Sequence, residues 1–345
     1  MLRFDANGPS AAHRYFSWIK CRDSAAIRRL GRSICALLLA APAASTASAQ
    51  AVVLNDGVNV APKVAISRLE DWPASKAKKR SDAPILWPPV NVDAAVPPIA
   101  PGVSCPLDTV LKGARLRVQE LLENVDRFTA TEVIDTAEIG ADGRARRYMK
   151  YNFNYLAAVS QAKDGDLRFD ESRKQTGKIN STPIPIRTVG LSVGAVVFHP
   201  LRYNDFEMTC EGLGQWRGKP AWQLRFAQRP DKRPRIQAIF DNGHWFDVKL
   251  KGRAWIAPEN SQIEHLDFDL LETVQPIRLL TEHMSVDYHA VDFAKRNIQL
   301  WLPESVNFYI DISGHRYVNR HRFTDFLLFA VDTSQEIHPP KIDPN

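Results

Sequence analysis

From Trp245 to Ile256 the chain alternates. Phe246, Val248, Leu250, Gly252, Ala254 and Ile256 take turns with Trp245, Asp247, Lys249, Lys251, Arg253 and Trp255. A period of two held over this length specifies an extended strand with one dry face and one mostly charged face. Pro258, Glu259, Asn260 and Ser261 supply turn chemistry. Ile263 to Leu270 resumes the alternation, with Glu264, Leu266, Phe268 and Leu270 opposite His265, Asp267 and Asp269. The stretch reads as a long antiparallel hairpin with a wet face and a dry face, which the rest of the chain must extend or cover.

The flanking sequence extends it. Phe128 to Val133 leads to an Asp142-Gly143 turn, and Tyr148 to Val159 follows with Tyr151, Phe153 and Tyr155 on one face. Residues 162–188 are polar and Gly/Pro-punctuated, which suits a loop or a short ribbon. Val189 to Arg202 is apolar and small, a short helix or buried segment ending near Pro200. Phe206–Trp216 and Trp222–Phe226 flank an Arg217-Gly218-Lys219 turn, and Ile236–Phe240 runs into an Asn242-Gly243 hairpin signal. Leu280, Met284, Val286 and Tyr288 form a strand with Glu282 on the same parity, and further strands run over 298–302, 306–312, 317–323 and 326–331. Only 106–125 is clearly helical, with Leu107, Val110, Leu111, Ala114, Val118, Leu121, Leu122 and Val125 at spacings of three and four. The expected fold is mainly β with a few helices (α+β). It is a curved antiparallel half-barrel of about ten strands covered by an N-terminal helix.

The net charge of +6 does not point to nucleic acid. The first 49 residues hold seven of the 45 Lys/Arg and two of the 39 Asp/Glu, leaving 38 against 37 elsewhere. The basic excess therefore sits in the leader, and no nucleic-acid partner is expected. That leader has Arg28, Arg29 and Arg32 ahead of an apolar run from Ile34 to Ala41, then Ala47-Ser48-Ala49. This is the pattern of an export signal cut before Gln50, and it implies a periplasmic or secreted protein. Residues 50–104 form a Pro-rich zone, read as an extended linker with little core of its own, and 336–345 as a tail. Removal of the leader leaves Cys105 and Cys210, either a disulfide or two buried free thiols.

A helix followed by a meander of alternating strands, the hairpin Gly-Lys-Pro-Ala-Trp-Gln-Leu-Arg-Phe (218–226), the strand and turn Gly-Arg-Ala-Trp-Ile-Ala-Pro-Glu-Asn (252–260), and the closing Tyr317 and Asp325-Phe326 carry a resemblance. Residues 105–335 resemble the outer-membrane lipoprotein-sorting (LolA/LolB-like) family of exported bacterial proteins. The resemblance implies a half-open antiparallel barrel with a helical lid and an apolar concave face that receives acyl chains. It also implies a periplasmic carrier of lipid or acylated protein, or a sensor using the same pocket.

No catalytic motif occurs, and the sequence requires no cofactor. His265, Asp267 and Asp269 share a strand face, as do His283, Ser285 and Asp287. The first set has metal-ligand chemistry without a second histidine or a cysteine on its strand, and no metal is expected. The second lacks a strained nucleophile turn, so both read as solvated strand faces. Arg316, Arg320 and Arg322 share parity and form a basic ladder, which either meets an anionic headgroup or is solvated and discourages edge pairing. The dry parity is too extensive to be exposed. It either fills a core under the 106–125 helix or lines a pocket; on the second reading Phe246, Val248, Leu266, Phe268, Met284 and Val286 are expected to line a concave ligand cavity beneath Leu111–Val125. The function expected is non-catalytic binding of a lipid or acylated protein in the cell envelope. The alternative is an interaction or stress-sensing module on the same fold, with envelope proteins as partners. N-terminal sequencing of exported protein is expected to begin at Gln50, and an intact leader on material recovered from the cytosol would overturn the export reading.

Overall fold

The computed structural model describes residues 63–66 and 87–329, except 95, 126, 162–166, 178–181, 183, 190 and 242–243. The leader and the Asn242-Gly243 turn thus lie outside the described residues. In chain order the elements are β1 (Lys63–Ile66), α1 (Leu107–Asn124), β2 (Arg127–Ile139), β3 (Ala145–Gln161), β4 (Leu167–Gln175) and β5 (Ile186–Val189). Then come β6 (Phe206–Trp216), β7 (Lys219–Gln228), β8 (Gln237–Asp241), β9 (His244–Val248) and β10 (Leu250–Ile256). β11 (Ile263–Leu270), β12 (Leu279–Phe293), β13 (Ile298–Ile312) and β14 (His315–Phe329) complete the set.

Ten strands form one antiparallel sheet in the order β4-β3-β2-β14-β13-β12-β11-β10-β7-β6. It is a curved half-barrel covered by a helix, open between its edge strands β4 and β6. From β10 to β14 each strand pairs with the next in sequence. The β10–β11 turn is closed by Ser261 N–H and Ala257 N–H, which donate to Ala257 and Gln262 carbonyls at 2.9 Å. Gly252 has a steric reason to be glycine: a Cβ there would lie 2.2 Å from the Phe226 ring on neighbouring β7.

The alternation that opens the sequence is not one strand. It breaks at Lys249, with β9 in a separate four-stranded sheet (β5-β1-β8-β9) and β10 in the large one. Val248 and Leu250 on either side of the break are both buried, at 1% and 2% exposure. The two sheets feed the same core, so the apolar parity carries on through a change of sheet and the sequence shows no seam.

α1 lays its stripe on the inner face, with Val110, Leu111, Ala114 and Val118 buried. Asp108 sits in its first turn, where the helix dipole favours a carboxylate. Beside α1 a 3-10 segment, Leu191–Phe198, buries Ala195, Val196, Val197 and Phe198.

The outer face is not wet. The 50–104 zone reads as a linker with little core of its own, yet from Trp87 the chain is a strap across the back of the sheet. Trp87 lies 6.2 Å from the Tyr309 ring and 5.4 Å from the Arg316 guanidinium. Val92 N–H donates to Asp269 Oδ2 at 2.7 Å, and its carbonyl accepts from Arg253 Nη1 at 2.7 Å. Asp93 takes Arg225 (2.8 Å) and Lys251. Ala100 N–H donates to Leu213 O at 2.7 Å, and Ile99 lies against Gly212. Prolines in this strap prevent a helix but leave its free N–H and carbonyl groups for the sheet's polar face.

The strap ends in a disulfide between Cys105 and Cys210, Cα atoms 6.2 Å apart, and the chain then enters α1 on the opposite face. The bridge therefore clips strap and helix to edge strand β6. Replacing both cysteines by serine is expected to cost about 2–5 kcal/mol of unfolding free energy. A urea titration of the non-reduced protein checks this, and an unchanged midpoint would show that strap and helix hold without the bridge.

Candidate functional site

The two polar constellations of the sequence meet across β11 and β12, where His265 pairs with Asp287, Asp267 with Ser285 and Asp269 with His283. They form one buried array. His265 is 3% exposed, and its ring stacks on Trp216 with centroids 3.7 Å apart. Its Nδ1 meets Asp287 Oδ1 at 2.8 Å and its Nε2 meets Asp267 Oδ1 at 3.0 Å. Burial opposes a charge on this ring, but hydrogen bonds to both carboxylates outweigh it and raise its pKa, while theirs are lowered. Ser285 Oγ is 3.5 Å from Nε2, which Asp267 already engages, so the ring has no lone pair to offer as a base. Arg217 from the β6–β7 turn closes over Asp287 at 3.2 Å. The array pins the end of that hairpin against β11 and β12. The solvated faces expected here are covered by Trp216 and the strap. Among the described residues, no three His, Cys, Asp or Glu are grouped to hold a metal ion.

The arginine ladder is largely engaged within the chain. Arg316 holds Asp311 at 3.0 Å and Arg322 holds Asp135 at 2.8 Å. Arg320 is half-buried and stands opposite Asp135 in the β14–β2 register. Asp311 lies five residues from Arg316 across the β13–β14 turn, whereas Asp135 on β2 is distant in sequence from Arg322.

A second polar group, which the sequence reading missed, lies on the inner face. Arg173 of β4 grips Glu132 of β2 through two hydrogen bonds (2.5 and 3.1 Å) and also Glu171 at 3.2 Å. Tyr155 O–H donates to Glu171 at 2.6 Å, and His321 meets Glu132 at 2.8 Å and Thr188 Oγ at 3.2 Å. Burial pushes the Glu132 carboxyl up, but Arg173 and His321 outweigh it and hold its pKa at about 2. Asn319 and Arg173 donate to the carbonyls of Ile186 and Thr188, so these charges moor β5, and with it the small sheet, to the large one. Alternation gave no sign of the group, because each strand contributes only one or two polar residues at otherwise apolar positions.

None of the six residues expected to line a cavity is among those lining the cavity under α1. Leu266, Phe268, Met284, Val286 and Val248 are packed core, between 0 and 3% exposed, and Phe246 is half-buried on β9 in the small sheet. The Leu191–Phe198 segment fills the space above them: a Cβ on Gly194 would lie 3.2 Å from the Phe268 ring, and Phe226 packs on its other side at 5.3 Å. Room opens beyond that plug, under the C-terminal half of α1, in a cavity of about 350 Å³. Arg117, Val118, Glu120, Leu121 and Asn124 of α1 form its roof. Tyr288, Ile298, Gln299, Leu300 and Trp301 of the β12–β13 hairpin form the floor, with Ala195, Gln262 and Ile263 closing one end. Leu121, Ile298 and Leu300 were legible as stripe or alternation residues, but their convergence depends on where the plug stops.

One further inner-face group has a pH signature. Glu282 is 4% exposed beside Gln237, and burial drives its pKa up to about 8, with the Gln237 hydrogen bond opposing and the Asp269 charge adding. The folded pKa lies above the unfolded value of 4.5, so the contribution to stability is full below that value and is lost as pH rises through about 8. Glu282→Gln is expected to match the parent near pH 4 and exceed it by a few kcal/mol near pH 9 in urea titrations. An equal difference at both would show that the carboxylate charge is not the cause.

No protein-family profile and no curated protein matches the sequence. Among solved structures, the chain is similar to a DUF1329 family protein from Desulfovibrio piger at 10% identity and TM-score 0.36, over 67% of this chain and 95% of that one. It is also similar to a putative outer membrane lipoprotein-sorting protein domain from Vibrio parahaemolyticus at 9% identity and TM-score 0.35, over 67% and 95%. A third, the Pseudomonas aeruginosa MucA/MucB complex, aligns at 7% identity and TM-score 0.17 over 63% and 99%.

Proposed function

We propose that this chain is an exported envelope protein that holds an acyl chain, free or on a lipid or acylated protein, in the cavity under α1, and that it acts by binding rather than by catalysis. The observation that carries the reading is the cavity itself. It has an apolar lining from Val118, Leu121, Ile263, Ile298 and Leu300 and a rim of polar side chains from Arg117, Asn124, Gln262 and Gln299. Its volume falls at the lower end of the range of small-molecule sites. A tail buried there gains roughly 0.8 kcal/mol per methylene. The leader from Arg28 to Ala49 supports the envelope as the place of action.

Displacement of a fluorescent apolar dye by a lauroyl lipid tests the reading. Leu121→Trp and Ile298→Trp, which fill the cavity, are expected to weaken dye binding roughly tenfold or more. Arg233→Ala, on an exposed residue paired with Asp247, is expected to leave it unchanged. A parent that binds no dye, or filled variants that bind it as well as the parent, would overturn the proposal.

A further inference from the structure

The cavity under α1 carries no uncompensated charge. Arg117 and Glu120, its two charged lining residues, pair with each other at 2.6 Å, and Arg117 Nε also donates to Asn260 O at 2.8 Å. The other lining side chains with polar atoms are carboxamides, one phenol and the Trp301 indole. Asn124 uses its amide N–H on Glu120 O at 2.8 Å, and Gln299 uses its own on Asp292 at 2.7 Å, so both leave a carbonyl oxygen for a visitor.

The phenol is Tyr288, 6% exposed at the floor. Its oxygen accepts the Ala195 N–H at 3.2 Å. Among the described residues, nothing accepts the hydroxyl proton. Burial raises its pKa, so it stays an O–H donor at any physiological pH. A buried donor without an acceptor is costly, and a ligand oxygen at this depth relieves the cost. A carboxylate there would be desolvated beside apolar side chains, with the single guanidinium already committed to Glu120. A neutral carbonyl oxygen meets the same donor without that penalty.

We infer that the cavity takes one acyl chain presented as an uncharged ester or amide, with the acyl carbonyl accepting the Tyr288 hydroxyl proton and the polar head at the carboxamide rim. Tyr288 is then the residue that separates neutral acyl groups from fatty-acid anions. The inference rests on the acyl-binding reading above and adds the chemical class of the ligand.

The test is dye displacement on the exported chain below micelle concentrations. The probes are 1-monolauroyl glycerol, 1-O-dodecyl glycerol, which lacks the carbonyl, and laurate. The ester is expected to bind about tenfold tighter than laurate and about fivefold tighter than the ether. Tyr288→Phe is expected to erase the ester-over-ether preference and leave ether and laurate affinities unchanged. Laurate binding as well as the ester overturns the inference, as does an ether that matches the ester on the parent protein. The ether comparison needs no variant, so it decides the matter even if Tyr288→Phe fails to fold. If none of the three displaces the dye, the acyl-binding reading itself fails, a result distinct from loss of the ester preference alone.

Discussion

The centre of the sheet is buried on both faces, and the rest of the molecule follows from that. β10 and β11 carry Leu250, Ala254, Leu266 and Phe268 inward, and Arg253, Trp255, His265 and Asp269 outward, and all eight are buried. Apolar burial on the inner face needs only a cover of the right shape. Burial on the outer face is harder, because each polar group removed from water must find a partner. The strap meets that need with its backbone. Val92 alone satisfies one oxygen of Asp269 and one nitrogen of Arg253. A regular helix or strand in that place would spend its N–H and carbonyl groups internally or on a neighbouring strand. An irregular, Pro-interrupted segment keeps them for the sheet.

Charge placement on the two faces follows one rule. Outside, His265 sits between two carboxylates under an indole. Inside, Arg173 sits between two carboxylates under β5. In each case a cation with two acids holds a peripheral piece, the β6–β7 turn or the small sheet, against the body of the main sheet. Buried ion groups of this kind add little net stability over apolar packing, but breaking one partner is costly, so they fix which piece docks where. Among the described residues Glu282 is an exception, a buried acid with no cation beside it, and its raised pKa is the consequence of that burial.

Much of the frame was legible from the residues. The stripe over 106–125 found α1 to within a residue or so, and period-two alternation with turn residues found β10 to β14. What escaped is non-local. Alternation says which residues share a face, but not what covers it, so a charged parity read as solvated turned out to lie under Trp216 and the strap. It also cannot see a strand change sheets when both sheets serve one core, as at Lys249. The cavity was misplaced for a related reason. The apolar parity of Phe268 and Val286 was correct, but the Leu191–Phe198 segment, read only as a short helix or buried segment, fills the space they face.

Geometry explains why a cavity is left at all. An 18-residue helix is about 27 Å long. Ten strands about 4.8 Å apart spread over more than 40 Å before curvature. One helix therefore cannot shield the inner face, and the chain adds the 3-10 plug and the small sheet. These three covers differ in shape, and they come from separate parts of the sequence. The plug packs against the middle of the sheet, while α1 runs past it toward the β12–β13 hairpin, whose tip includes Ile298 and Leu300. There the roof is helix, the floor is strand, and Ala195 of the plug lines one end. A gap at that junction could be closed by larger side chains on α1, yet Val118 and Asn124 are short and Arg117 is drawn away toward Asn260 and Glu120. The space thus follows from side-chain choice as well as from the reach of the helix, and the buried hydroxyl of Tyr288 gives it a polar end.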